Sequence, residues 1–258
     1  MNRFSLSRKL FLWIFLSAMV PIVVLTTIYL ESFRSSLLSQ EKEHLSQLAD
    51  KKVEQVEVYI SQRIDDARLL SKSVQSKKLL EDLIPLYKHK NSQTKAYYIK
   101  EKKHRDFFQD FKERGYFDIF LISPEGEIIF SLIHESDFAT NIYSGEYRSS
   151  GLNKVVKRAG YFLEASSSSF EFYPPSKEAA AFVAAPILRD GKLMGIVALQ
   201  VDSNIIHNVT LDLGGSKKTR EVVVASQHGN YFSYQTRVKY DASIKVGREL
   251  PIAELPYP

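Results

Sequence analysis

Tyr143, Tyr147 and Arg148 crowd one short segment of the chain, and together they could hold a small anionic molecule. A tyrosine ring gives an apolar wall with a hydroxyl at its tip, and an arginine fork matches a carboxylate or a phosphate. The opposing reading is that Arg148 pairs with Asp137 or Glu146 and the tyrosines only pack. Asp137 and Asn141 lie just upstream, either facing a ligand or shaping the loop through side-chain-to-backbone bonds. Tyr173 and Phe182 fall in strand-like runs, where they are core or ligand wall. Other chemistry is sparse. His44, His89, His104, His134, His207 and His228 are scattered and form no H-x-x-x-H pair. His134-Glu135-Ser136-Asp137 hints at a metal or acid–base cluster but falls short of the three or four spaced ligands that zinc needs. With no cysteine, a disulfide framework and a thiolate metal site are excluded. Ser166 to Ser169 has no nucleophile-elbow pattern around it, and Gly214-Gly215 lacks the rest of a phosphate loop. An enzyme is not expected, and no cofactor or metal is implied.

The candidate residues lie between a hairpin and a run of strands. Tyr116 to Ser123 is apolar and aromatic, Pro124-Glu125-Gly126-Glu127 is a turn signal, and Ile128 to Leu132 is a second strand. Ser149 to Ala159 reads as an amphipathic helix with a serine cap. Phe170 to Tyr173, Ala180 to Leu188 and Leu193 to Val201 follow as strands, the last two joined by Arg189-Asp190-Gly191-Lys192. This order predicts an α+β module with an antiparallel sheet, over residues 85–202. A candidate pocket is walled by the closing strands, the loop 137–148 and the helix. Lys88 to Arg105 is basic and polar and reads as a solvated helix face and loop. Ser203 to Leu213 reads as a connecting helix. Glu221 to Ala225, the turn 227–230 and Tyr231 to Tyr234 repeat the hairpin theme as the start of a second module over 203–258. A half sheet cannot bury a core alone, so a longer protein is expected.

Ahead of the module, Leu10 to Leu30 carries no charged residue. At ~1.5 Å per residue this stretch spans ~32 Å, about the thickness of a bilayer's hydrocarbon core. It is longer than the apolar part of a signal peptide and runs into Tyr29-Leu30-Glu31 without a small-residue cleavage site. Arg3, Arg8 and Lys9 precede it and Glu31 follows, which places residues 1–9 in the cytoplasm and the bulk outside the inner membrane. From residue 31 to 84 there is neither Pro nor Gly. Val53, Ile60, Ala67 and Val74, with Val56 and Leu70 between them, form an imperfect heptad stripe. This stalk helix pairs with its copy in a homodimer, packs on its own module, or does both at different heights, and Pro85 ends or kinks it. The 258 residues, 44% hydrophobic and 25% charged, allow one or two domains and exclude a collagen-like or wholly disordered chain. The net charge of +5 comes from basic residues mixed among acidic ones, so nucleic acid is not an expected partner.

Several of these stretches together resemble the bacterial double Cache family of PAS-like extracytoplasmic sensor domains. They are Lys52 to Arg63, Gly115 to Gly126, Glu135 to Ile142, Ala181 to Ile187 and Gly195 to Val201. The resemblance implies a sheet whose membrane-distal pocket binds a small molecule. It also implies transmission through the stalk and membrane helices, most readily to a histidine kinase. A chemoreceptor, a cyclic-dinucleotide cyclase and a membrane-anchored scaffold without a ligand are the alternatives. Amino-acid-binding members carry an Arg-x-x-Trp-type pair before the internal helix and an Asp on the last strand. This chain departs from that pattern: its one tryptophan, Trp13, is in the apolar stretch, and Gln200 stands at the strand position.

Overall fold

The computed structural model describes residues 6–87, 93–202 and 222–254, apart from 237, 239, 240 and 242. Helix α1, Leu6–Lys72, is continuous and holds Pro21 inside it. Contacts divide the chain into two units, residues 1–53 and 54–258. In the first, every side chain from Leu10 to Leu30 is exposed, including Trp13, Ile22 and Leu25. This is a helix long and apolar enough to cross a membrane. Within the apolar stretch, Ser17 Oγ donates to the Ile14 carbonyl, Thr26 Oγ1 to that of Ile22 and Thr27 Oγ1 to that of Val24, at 2.9, 2.7 and 2.8 Å.

The second unit opens with the last turns of α1, which bury Ala67 and Leu70 while Leu69 faces out. Of the heptad positions, Ile60, Ala67 and Leu70 pack into the module's own core, whereas Val53 and Val74 are exposed. Here the stripe packs on its own module, so its central positions are unavailable to a second copy. The expected single helix to residue 84 is also corrected. It breaks at Ser73, whose extended backbone (φ −64°, ψ 145°) and Oγ, accepting from the Ser76 N–H, cap a new helix α2, Val74–Leu83. A serine hydroxyl competes with the helical hydrogen bond and caps the helix that follows. Pro85 then sits in a single 3-10 turn, Ile84–Leu86.

Helix α3, Lys95–Lys112, is capped by Thr94 and buries Tyr97, Glu101, Phe108 and Phe111. Residues 88–92 of the basic run lie outside the described residues; the part in α3 is solvated on one face, where Lys100, Lys102 and Lys103 are exposed, but its other face is core. Strands β1 (Tyr116–Ile122) and β2 (Ile128–Ser131) form the expected hairpin. Helix α4, Gly151–Phe162, starts from a Ser150 cap. Strands β3 (Ser166–Ser167), β4 (Glu171–Tyr173), β5 (Glu178–Arg189) and β6 (Lys192–Asp202) complete a sheet of order β2-β1-β6-β5-β3, with β4 also on β5. All its pairings are antiparallel. The β5–β6 turn places Asp190 and Gly191 at φ 49° and 76°, the left-handed pair that two-residue hairpins need.

Strand alternation sends odd and even residues to opposite faces. Val183, Ala185, Val197 and Leu199 join α1, α2 and α3 in one core layer. Phe182, Ala184, Ile196 and Ala198 meet Leu152, Val155, Val156 and Ala159 of α4 in another. The first layer is close-packed at Gly195, where an added Cβ would lie 2.7 Å from both the Ile122 carbonyl oxygen and Leu80 Cδ1. Gly195→Ala is therefore expected to cost about 1–3 kcal/mol in chemical denaturation, because the carbonyl belongs to the sheet and cannot retreat.

Strands β7 (Ala225–His228), β8 (Tyr231–Tyr234) and β9 (Glu249–Pro251) form a separate antiparallel sheet. The strand expected at 221–225 lies later, and the turn narrows to Gly229-Asn230. The small sheet meets the first through Gln235, whose Oε1 accepts from the Phe170 N–H at 2.6 Å. The helix expected over 203–213 lies outside the described residues.

Candidate ligand-binding site

Register decides what faces α4 at the end of the sheet. Asp118 of β1 lies opposite Gln200 of β6, and Gln200 lies opposite Phe182 of β5, so the three form one row across the α4 face. The loop from Ile133 to Arg148 closes over this row, with His134 and Ala139 in the left-handed region at φ 60° and 58°. Asn141 shapes that loop. Its Oδ1 accepts from the Tyr143 and Ser144 N–H groups, and its Nδ2 donates to the Glu125 carbonyl and to Glu127. Asp137 does something else. It is fully buried, and its Oδ2 accepts from the Tyr173 hydroxyl at 2.5 Å. Its Oδ1 has no hydrogen-bond partner among the described residues.

The interior is aromatic and acidic. The Tyr173 ring stands edge-on to Phe182 at 4.8 Å between centroids and tilts against Tyr147 at 6.2 Å. The Tyr147 hydroxyl meets Ser136 Oγ at 2.8 Å. Gln200 Nε2 donates to Ser176 Oγ at 3.1 Å, while its Oε1 has no partner among the described residues. Asp118 is the hub of the hairpin's far end. Its Oδ1 accepts from the N–H groups of Ile119, Leu132 and Ile133, and its Oδ2 from the Ser131 hydroxyl. Burial still pushes Asp118 up to about 7 against those donors, with Asp137 adding to the rise. Burial likewise raises Asp137, opposed by the Tyr173 hydroxyl and by nearby backbone N–H groups. Burial raises Glu135, and Asp137 and Glu178 add to it. His134 stacks flat on Phe138 at 4.0 Å, with Nε2 3.2 Å from Glu101 of α3. Glu101 also pairs with Arg105.

The structure thus brings Asp137, Tyr147, Tyr173, Phe182 and Gln200 together behind α4. It leaves out Arg148, whose side chain is exposed and whose carbonyl accepts from Asn153 Nδ2. Arg148 pairs with neither Asp137 nor Glu146, which corrects the pairing reading: the loop turns its side chain to solvent. Tyr143 packs at the edge, its ring occupying the space a Cβ on Gly126 would fill, with the Lys157 Nζ 5.5 Å from its centroid. Asp118 escaped the sequence reading, although a lone carboxylate inside the apolar run Phe117 to Ile122 was the signal. Among the described residues no group of three or more His, Asp or Glu side chains is placed to hold a metal ion. Surface grooves of about 360 to 460 Å³ lie elsewhere, one along Ser166 to Phe170 beside Lys154 and Arg158, and none of the four is lined by the buried cluster.

The sequence pattern of a Cache-domain family, dCache_1, matches residues 33–254. No curated protein matches the chain in sequence. Among solved structures, the fold is similar to the ligand-binding domain of the Pseudomonas aeruginosa amino acid chemoreceptor PctC, in complex with GABA. The TM-score is 0.55 at 9% identity, over 82% of this chain and 80% of that one. The ligand-binding domain of the Pseudomonas fluorescens chemoreceptor CtaA, in complex with L-isoleucine, gives a TM-score of 0.52 at 11% identity, over 84% and 75%. The sensor domain of the Vibrio cholerae histidine kinase DctB gives 0.47 at 17% identity, over 65% of this chain, and this chain spans 58% of that domain.

Proposed function

We propose that this chain, which belongs to the double Cache family of sensor domains, is the small-molecule-sensing region of a transmembrane signalling receptor. Histidine kinases and chemoreceptors are receptors of that class, and among outputs the proposal takes a histidine kinase. The observation that carries the sensing role is the buried cluster behind α4. A module built only to pack would have filled that space with apolar side chains, because buried polar groups left without partners are destabilising. Here Asp137 and Gln200 are both held inside, each with an oxygen that has no hydrogen-bond partner among the described residues. The membrane role rests on the exposed apolar surface from Leu10 to Leu30, which lipid would cover. The N-terminus would lie in the cytoplasm, with α1 carrying on from the bilayer as an unbroken helix to Lys72. The proposal includes a homodimer in which copies meet through outward residues of the stalk such as Val58 and Leu69.

Full-length protein in lipid nanodiscs, screened by thermal shift against a broad metabolite panel, tests the sensing role. A ligand at 100 times its Kd is expected to add about 2.7 kcal/mol to stability, a rise of several degrees in Tm. Phe182→Ala should abolish that rise for the responding compound. Absence of any stabiliser across the panel would overturn the sensing role. Alkaline phosphatase fused after Leu83 is expected to be active, and an inactive fusion that is folded in the cytosol would overturn the topology.

A further inference from the structure

The outward stripe of the stalk has a groove on one flank and an aromatic knob on the other. At ~100° per residue, Asp65 and Lys72 fall between Leu69 on one side and Arg68 on the other, and both are exposed. On the Leu69 flank a groove of about 420 Å³ opens between α1 and α3. Leu69, Leu70, Phe107 and Phe111 wall it, and the exposed Asp110 lines it too. Asp106, one turn earlier on α3, is also exposed. That volume is well above the ~150 Å³ of a cavity that takes a benzene ring. On the Arg68 flank lies the end of α4. Leu163 shares a surface groove with Arg68 and Ser71, and Phe162 shares one with Ile64. Here Tyr161 and Phe162 stand 82% and 62% exposed, their rings edge-on at 4.9 Å. Arg158, one turn before Phe162, is exposed on the same helix face. Tyrosine and arginine are the residue types that dominate the energetics of protein interfaces.

Knob and groove match in apolar character and in charge, with an arginine beside the knob and carboxylates beside the groove. Both adjoin α1 between Ile64 and Ser73, so they lie at one height along the stalk. One copy cannot bring them together, because the stalk stands between them. A two-fold axis along the outward stripe does. It sets the α4 flank of each copy against the α3 flank of the other, makes the contact twice and closes the pair. We propose that two copies of the chain clasp each other in this way, Tyr161 and Phe162 of each seated in the α1–α3 groove of the other, with Arg158 beside Asp110. An aromatic side chain buries about 150–250 Å². Four such rings supply a large share of the ~1,200 Å² that a specific interface needs. The proposal rests on the homodimer reading above and adds its contact surface. The clasp joins α4, which covers the buried cluster of one copy, to the stalk of the other.

The chain has no cysteine, so every introduced thiol reports on its own position. The test oxidises the full-length protein in membranes with copper phenanthroline and reads covalent dimer on non-reducing gels. The double variant Tyr161→Cys with Asp110→Cys is expected to cross-link, and neither single variant is. Val58→Cys, on the outward stripe, reports separately on whether the stalks meet. A cross-link through Val58→Cys without one in the double variant would overturn the clasp and leave the homodimer standing. Cross-linking in neither would overturn both readings. Tyr161→Cys cross-linking alone as fast as the double variant would mean that knob meets knob and would overturn the clasp. So would an adduct of Tyr161→Cys with a different protein and none in the double variant. Charge exchange gives a second measure, by sedimentation of the full-length chain in detergent. Arg158→Glu and Asp110→Arg are each expected to weaken self-association by about fivefold, and the two together to restore it. A double exchange as weak as the single ones would overturn the placing of Arg158 beside Asp110.

Discussion

Replacing Asp118 by alanine should cost about 3–5 kcal/mol, enough to unfold a large share of the molecules of an ordinary domain. The N–H groups of Ile119 and Ile133 would lose this acceptor, and that of Leu132 would keep only the Ile119 carbonyl. The Ser131 hydroxyl would lose its acceptor as well, while still receiving the His134 N–H. Each stranded donor carries a desolvation penalty of about 1–3 kcal/mol, softened where relaxation admits water. Asp118→Asn keeps an oxygen for the three N–H groups and should cost about 1–2 kcal/mol. The pair also separates hydrogen bonding from charge. Asp118 is raised to about 7, so the fold favours its protonated form. The stability it contributes is complete below about pH 4, its unfolded value, and is lost as pH rises through about 7. Asp82, lowered by His104 and Lys100, works the other way. Its contribution is present above about pH 4 and is lost as pH falls below that. Urea titrations between pH 4 and 8 should therefore show a decline in wild-type stability that Asp118→Asn flattens. An unchanged slope in that variant would show that Asp118 is ionised throughout.

Asp118 also shows where sequence reading stops. The hairpins were legible because their turns have local causes: Gly126 and Gly191 sit at φ 89° and 76°, and Asp190 tolerates φ 49°. The α4 helix was legible from its serine cap and apolar stripe, although it starts and ends a little later than the pattern placed it. Of the candidate residues, Asp137, Tyr147, Tyr173, Phe182 and Gln200 do converge behind α4. What failed depended on long-range partners. The lysines of α3 hid a core face, because Glu101 is buried only by virtue of Arg105 and His134. Ser73 broke a helix that its neighbours' propensities favoured. Arg148 also stands apart from the convergent residues: its carbonyl accepts from Asn153 Nδ2 and its side chain is exposed.

Adjacent leucines in the stalk should give opposite results. Leu70 is fully buried in the core layer shared by α1, α2, α3 and the sheet, and Leu69 is 57% exposed. Leu70→Ala removes buried methyls and leaves a cavity, with an expected loss of about 2–5 kcal/mol. Leu69→Ala should stay within about 0.5 kcal/mol in dilute protein, where copies are apart. A helix tied this firmly to the sheet cannot slide or rotate without dragging the core. The Arg63 guanidinium donates to the Arg114 carbonyl at 3.2 Å, and the Tyr116 hydroxyl donates to Asp66 at 2.6 Å, fixing the same turns to β1 and its approach. Binding at the α4 face could reach the stalk through this layer, because alternate residues of β5 and β6 belong to the two cores. The outward residue then reports on association alone. If copies of the stalk meet, Leu69→Ala should lower self-association in analytical ultracentrifugation while leaving Tm at low concentration unchanged. A large fall in Tm for Leu69→Ala, or a negligible one for Leu70→Ala, would mean that α1 presents a different face to its own module.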